Sequence, residues 1–479
     1  MRQVLAACLL ASAIAACAAD PTDDGGEYSA DPTDFDSKAD GVTSSAAVLK
    51  LIDGAQTRLY MQAPTLADAT LLTHLKSAAK RGVDVHVYVV VPMAAHPQTV
   101  LAAEQLEAAG VDTISDRTTK LPGFLAIADD TLLVTAAGKT DTVADHVQTA
   151  ADKFTAAIAE DTSGSPPSLG SDGTALMLMP ESGAGPIVSL IGGAKSTIDL
   201  EIYQLQSPAA VTALVAAHAR GVTVRVMLEP KTVGSQNYTQ VKAVLSAAGI
   251  SVQPTPTAFD AHGNVDHAKF MVIDGKELVY GSGNMVRSGL GGNRATEFDN
   301  RDFWIRDTRS TSVSEAKKVF SADWASTSTT STTFHALVLT PDNANSTLDA
   351  LIDGAQKRLY IYNQSLNDST MLDKLVAAQG RGVDVRVLLG NQPGFGGAPP
   401  ANQPAIDQLT GAGAKADYFT THYLHGKVIV ADDSAFVGSQ NFTSGGLGKN
   451  RELGEVLTST TVVSSLVKQF LADAANPTP

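Results

Sequence analysis

Two short runs place an imidazole, an ammonium and a carboxylate at one fixed spacing. His267, Lys269 and Asp274 form the first, and His425, Lys427 and Asp432 the second. Each is followed at the same distance by Gly-Ser-x-Asn: Gly281, Ser282 and Asn284, then Gly438, Ser439 and Asn441. These residue types suit displacement at a phosphodiester. The anionic ester needs cations on its non-bridging oxygens, an in-line nucleophile and an acid for the departing oxygen. One imidazole can attack phosphorus and carry it as a phosphohistidine. The other can protonate the leaving alcohol, because its pKa lies near working pH. Lys269 and Lys427 then supply positive charge without a metal, and Ser282, Asn284, Ser439 and Asn441 supply neutral donors at the phosphate. Asp274 and Asp432 complete the catalytic motifs. Their places in the turns Asp274-Gly275 and Asp432-Asp433 favour turn formation or structural partnering over proton transfer.

This duplicated HxKxxxxD with its matching Gly-Ser-x-Asn resembles the phospholipase D superfamily, whose motif is named HKD. The resemblance covers roughly residues 177–475. It implies a metal-independent reaction without a cofactor, at one bilobal site where both motifs meet around a pseudo-twofold axis. It also implies a nucleophile from the N-terminal motif, so that His267 attacks and His425 is the general acid, although the motifs themselves do not distinguish the two. In the family an acid downstream orients a catalytic imidazole through Nδ1. Asn300-Arg301-Asp302 and Asn450-Arg451-Glu452 each open an apolar run, so this role falls on Asp302 and Glu452. Glu297 competes with Asp302, and surface pairing with Arg301, Arg451 or Arg306 is the structural alternative.

Side chains two apart on a strand share a face. The apolar, β-branched runs His267–Ile273 and His425–Val430 predict buried strands that hold each His–Lys pair on one side. Around them the chain repeats. Leu51–Tyr60 returns nearly unchanged as Leu351–Tyr360, and both continue to Arg-Gly-Val-Asp-Val at Arg81–Val85 and Arg381–Val385. A more distant copy runs from Leu190–Leu200 to Arg220–Val224. Each reads helix, strand, helix, Arg-Gly-Val turn, strand. The pattern predicts an α/β fold of repeated half-units, with mixed sheets flanked by helices. Three units are expected, at about 45–160, 177–326 and 334–476, joined by the Ser/Gly/Pro-rich Ser163–Gly173 and the Ser/Thr-rich Ser326–Thr333. The first is degenerate. Aligning Ala128-Asp129-Asp130 with Ala431-Asp432-Asp433 puts Pro122 and Phe124 where His425 and Lys427 stand. Thr135, Ala136 and Gly138 replace the Gly-Ser-x-Asn residues. This unit reads as a structural or binding module, and His74, His86, His96 and His146 as surface or packing residues.

Met1-Arg2, the apolar Val4–Ala16 and Ile14-Ala15-Ala16-Cys17 read as an export signal ending in a bacterial lipobox, with lipid on Cys17. Ordinary cleavage nearby, giving a secreted protein, is the alternative. Residues 18–44 carry eight acids with Pro and Gly, and predict a disordered tether. Cys8 leaves with the signal, so no internal disulfide or cysteine metal site is expected. Of the net charge of −15, the tether holds −7 and Arg2 contributes +1, so the remainder stands near −9. That opposes steering toward a nucleic acid.

The expected function is a phospholipase-D-type hydrolysis of the distal phosphodiester of a membrane phospholipid, by an exported, membrane-anchored protein of the periplasm or outer surface. No obligate protein partner is implied. The alternatives are phosphatidyl transfer to an alcohol, as in cardiolipin synthesis, an HKD-family nuclease, and a non-catalytic lipid- or polyanion-binding protein.

Overall fold

The computed structural model describes residues 46–63, 68–89, 111–115, 124–129 and 131–135, with a few residues between 102 and 110. It then describes 162–230, 236–256, 265–291, 299–327, 334–391 and 401–475. The expected signal, Cys17 and the tether lie outside the described residues. Among those described are twelve helices and three sheets.

The repeats fold alike because their local signals agree. Helix Ala46–Gly54, strand Arg58–Ala63, helix Ala69–Lys80 and strand Asp84–Val89 form one copy. The equivalent elements are Gly185–Gly193, Thr197–Ile202, Pro208–Ala219 and Thr223–Leu228, then Ala344–Gly354, Arg358–Asn363, Ser369–Gly380 and Asp384–Gly390. The longer helix starts at Asp68, Ser207 or Asp368, whose side chain accepts from backbone N–H groups of the first turn. It stops at Arg-Gly. Gly82, Gly221 and Gly382 adopt φ of +88°, +96° and +89°, a left-handed conformation that only glycine enters without cost. The guanidinium of the preceding arginine returns to cap the other helix, with Arg81 on Ile52 O, Arg220 on Gly192 O and Arg381 on Ile352 O at 2.8–3.1 Å. This explains why Arg-Gly recurs in every copy.

In each sheet the first two strands of the copy pair in parallel, and the first also pairs antiparallel with a third strand, which bears the motif in the second and third copies and is the motif-less Phe124–Ala128 in the first. Lys269–Ile273 and Lys427–Ala431 therefore lie at the centre of their sheets, buried on both faces. Glu277–Gly281 and Ser434–Gly438 follow antiparallel, then Asn300–Asp307 and Glu452–Leu457. The two sheets share one apolar core. Phe270, Tyr280, Phe303 and Phe320 of one lobe pack with Tyr362, Phe419, Val428 and Phe470 of the other. The lobes also exchange backbone. Tyr423–Leu424 joins the opposite sheet beside Asn300 and Arg301, and Asp266 bridges to Arg451. No helix among the described residues is long and apolar enough to cross a membrane.

Candidate active site

The sequence expects His267 and His425 inside the strands; both lie just before them. Each sits in the exchanged segment, where its N–H donates to the carbonyl of the opposite lobe's arginine, His267 to Arg451 O at 2.8 Å and His425 to Arg301 O at 3.2 Å. The crossing brings each imidazole against a carboxylate of the other lobe. His267 Nδ1 lies 2.9 Å from Glu452 Oε2, and His425 Nδ1 lies 3.0 Å from Asp302 Oδ1. Both carboxylates are fully buried. Glu297, the competitor for Asp302, lies outside the described residues.

A carboxylate on Nδ1 fixes the tautomer with the proton there, leaving the Nε2 lone pair to the site. Burial lowers both imidazoles to about 4, with the neighbouring lysines adding to the effect and the carboxylates opposing it. Both histidines are thus neutral at neutral pH. Lys269 and Lys427 are fully buried. Each ammonium donates to the carbonyl of its own motif histidine. Burial pushes Lys269 well below its usual range, and Lys427 adds repulsion. Two neutral imidazoles and two crowded lysines stand in front of the carboxylates Asp302 and Glu452, which offset the lysine charge, and an anion in the site would relieve the repulsion between the lysines.

Two expectations about the motifs need correction. Asp274 and Asp432, counted in the catalytic set, stand at the far ends of their strands, about 20 Å along the chain from the histidines at ~3.3 Å per residue. Asp274 accepts from the backbone N–H groups of Lys195, Ser196 and Thr197, and Asp432 from those of Gln356, Lys357 and Arg358. Both adopt left-handed φ, +53° and +50°. Asp129 does the same at φ +51°, holding Gln56, Thr57 and Arg58 in the repeat that lacks the motif histidine and lysine. An acid kept where the chemistry is missing serves the fold. Ser282 and Ser439, expected at the phosphate, are instead fully buried beneath the carboxylates. Ser282 Oγ donates to Asp302 at 2.6 Å and accepts from Phe303 N. Ser439 Oγ accepts from Leu453 N and lies at Glu452, helping hold its carboxyl low. The adjoining glycines permit this packing: a Cβ on Gly281 would lie 2.4 Å from Phe303 O. Asn284 Nδ2 donates to Gln204 Oε1 at 3.0 Å, and the buried Oδ1 atoms of Asn284 and Asn441, which can only accept, are without a partner.

Sequence reasoning missed the arginine staples. Arg301 and Arg451 make neither of the surface pairs that were the alternative reading. Arg301 crosses to Asp473 at 3.1 Å on the last helix of the other lobe, and Arg451 crosses to Asp323 at 2.7 Å. Glu201 and Asp266 join the Arg451 cluster. Burial and mutual repulsion push both carboxyls well up, which favours protons on them. Tyr362 and Leu424 hold their places in the other lobe. The lysines are also served unequally. Lys269 lies 5.1 Å from the ring of Tyr203, whereas Lys427 donates to Gln364, which itself donates to Tyr423. Trp304 is fully buried in the core, and Trp324 stacks on Phe320. His74 pairs with Asp53, and His86 with Asp84; both lie in the first repeat.

The family described as "Cardiolipin synthase, PLD-like domain" matches residues 187–324 and 348–474, more than half of the chain. The chain belongs to this branch of the phospholipase D superfamily. A cardiolipin synthase from Halalkalibacterium halodurans is 28% identical over 236 residues, covering 43% of this chain and 46% of the relative. Cardiolipin synthase 2 of Bacillus cereus is 26% identical over 261 residues, covering 48% and 50%. The chain thus spans about half the length of the curated relatives it matches. Among solved structures, phosphatidylserine synthase from Haemophilus influenzae aligns with a TM-score of 0.47 and 14% identity, over 64% of this chain and 87% of its own.

Proposed function

We propose that this phospholipase-D-like protein is a phosphatidyltransferase, moving a phosphatidyl group from one phospholipid to an alcohol, with a second phospholipid headgroup as the acceptor in a cardiolipin-type exchange. The observation that carries the chemistry is the crosswise pairing: each motif histidine is held through Nδ1 by a buried acid from the opposite lobe. Hydrolysis, the leading expectation from sequence, becomes the minor outcome, because the relatives that share the two motif lobes are named cardiolipin synthases.

His267 Nε2 attacks phosphorus as the bond to the departing headgroup oxygen breaks, and His425 Nε2–H protonates that oxygen. The acceptor alcohol then gives its proton to His425 and attacks phosphorus, releasing His267. Protons balance over the cycle. The phosphate's charge raises the depressed pKa values of His267, His425 and Lys269 on binding, so the acid form of His425 is created with the substrate in place. Glu452 stabilises the positive charge that His267 acquires as it bonds to phosphorus. The net acidity of the chain favours lipid over nucleic acid. Lipidation of Cys17 and the acidic tether would hold this catalyst at a membrane surface, while the first repeat, lacking the motif, would serve as a structural module.

The test is to incubate the purified full chain with phosphate-labelled phosphatidylglycerol and EDTA. Labelled cardiolipin with release of glycerol supports the reading. Phosphatidic acid as the sole product returns the assignment to hydrolysis, and no turnover of lipid but cleavage of DNA moves it to a nuclease.

A further inference from the structure

Each histidine–carboxylate pair rests on the two residues that precede it in the chain. Asp266 and Arg451, before His267 and Glu452, form a parallel bridge, and Leu424 and Arg301, before His425 and Asp302, pair in the same sense. The strand register equates Glu201, opposite Phe270, with Tyr362, opposite Val428. The two supports differ in chemistry. Behind His425, Tyr362 Oη donates to Asp473 Oδ2 at 2.6 Å, and Asp473 holds Arg301. Behind His267 the support is built from buried acids, Glu201, Asp266 and Asp323. Both Glu201 oxygens, Asp266 Oδ2 and Asp323 Oδ2 face no N–H or O–H donor. Glu201 nonetheless lies in hydrogen-bond contact with both Asp266 and Asp323. A contact between two carboxyls is a hydrogen bond only when one of them carries a proton. Glu229, which stands where the sister lobe has Gly390, adds to the set. Its Oε2 accepts from Asp266 N at 2.8 Å and from Thr255 Oγ1 at 2.9 Å, and Asp266 Oδ1 accepts from Ala268 N at 3.1 Å. These bonds fix the backbone on both sides of His267.

We propose that Glu201, Asp266 and Glu229 are positioning residues for His267, a proton-sharing support that keeps the imidazole and Glu452 aligned for attack on phosphorus. The inference rests on His267 being the group that takes up the phosphate. In the support the Asp266 O–H donates to Glu201 and the Glu201 O–H donates to Asp323, whose Oδ1 accepts from Arg451 at 2.7 Å. Three carboxyls then present one negative charge to one guanidinium. Loss of either proton puts like charges in contact inside a dry interior, which is costly. The charged groups facing the cluster from the surrounding elements are Arg451, Glu229, Asp342 and Lys269. The cations among them are shared with other acids, Arg451 with Asp342 and Lys269 with Glu452. Ionisation of Glu201 therefore drives Asp266 and Asp323 apart and loosens the Asp266–Arg451 bridge on which His267 and Glu452 stand. The support of His425 has no such limit, because burial holds the Tyr362 phenol well above its usual range.

The test is Glu201→Gln in the full chain, because an amide donates N–H to both neighbours at every pH. Infrared spectroscopy at neutral pH should show the band of buried protonated carboxyls reduced in this variant. The rapid-quench burst from a p-nitrophenyl phosphodiester should slow in the wild type as pH rises into the alkaline range. In Glu201→Gln that fall should begin at higher pH, with Lys269 setting the limb that remains. Glu201→Ala leaves Asp266 and Asp323 without a bridge and should slow the burst roughly tenfold at neutral pH, a loss that glutamine largely restores. If the alanine variant does not fold, the glutamine profile decides alone. An alkaline limb that coincides in wild type and Glu201→Gln, or an unchanged carboxyl band, overturns the proposal. A wild-type protein that forms no histidine adduct overturns the functional reading instead, and the carboxyl band tells the two failures apart because it reports the shared proton without turnover.

Discussion

Replacing Glu452 by glutamine tests the crosswise pairing, because the two are alike in shape and differ in charge and in donor pattern. Glu452 Oε1 accepts from Asn450 Nδ2 at 3.1 Å, and Oε2 lies nearer to His267 Nδ1, at 2.9 Å. In Glu452→Gln the amide oxygen keeps the bond from Asn450, so the amide NH2 turns toward His267. A donor facing Nδ1 drives the imidazole proton to Nε2, where it blocks attack. The charge-assisted hydrogen bond that is lost is worth about 2–3 kcal/mol. At 1.36 kcal/mol per decade this alone is roughly 100-fold in rate, before the wrong tautomer is counted. Asp302→Asn should behave differently. Ser282 holds Asp302 Oδ1 at 2.6 Å, so the amide NH2 faces His425 and leaves its proton on Nε2. That form can still stand beside a leaving group that needs no acid. With a p-nitrophenyl phosphodiester, a rapid-quench assay should therefore show the nitrophenol burst abolished in Glu452→Gln and retained in Asp302→Asn, which fails only in later turnover. A Glu452→Gln protein within tenfold of wild type would refute the reasoning. Equal loss of the burst in both variants would refute the division of roles.

Other perturbations separate fold from chemistry. Asp274→Ala and Asp432→Ala each strip backbone N–H partners from a residue at positive φ, and should cost about 2–3 kcal/mol in urea unfolding while leaving kcat/KM within a few-fold. Asp129→Ala should destabilise the first repeat and leave the rate untouched. Arg451→Met should cost about 3 kcal/mol at pH 7, because it leaves buried Asp323 unpaired. The loss should shrink toward pH 5, as the carboxyls that burial has pushed up take protons. Glu455, raised to about 8 by burial and by Asp307, keeps its proton in the folded state. Stability should therefore fall as pH rises from 4.5 to 8, and Glu455→Gln should flatten that slope, gaining roughly 2–4 kcal/mol on wild type at pH 8. A slope that survives the substitution would assign it to other groups.

The α/β class, the repeated lobes and the superfamily were legible because their signals are local. The Arg-Gly turn, the capping Asp or Ser and the spaced His–Lys pair each lie within a few residues. What lies across the lobes was not. Nothing in the spacing says that Glu452 serves His267 and Asp302 serves His425, or that Arg301 and Arg451 reach the last helix of the opposite lobe. The roles of Ser282 and Ser439 were misread for the same reason: their carboxylate partners enter from another strand, 20 residues on in the case of Ser282. Asp274 and Asp432 were better judged by their turns than by their place in the motif. Glu201 and Asp266 gave no signal, because an acid inside an apolar strand looks like a solvated face until a second sheet covers it.

The claim that matters most is a phosphohistidine at a site shared by both lobes. Mixing the His425→Ala protein with a p-nitrophenyl phosphodiester, quenching in alkali to preserve the P–N bond, and mapping the adduct by peptide mass spectrometry tests it directly. The added mass is expected on His267, and absent when Glu452→Gln is introduced into the same protein. An adduct elsewhere, or nitrophenol release with no histidine adduct at any quench time, would contradict it.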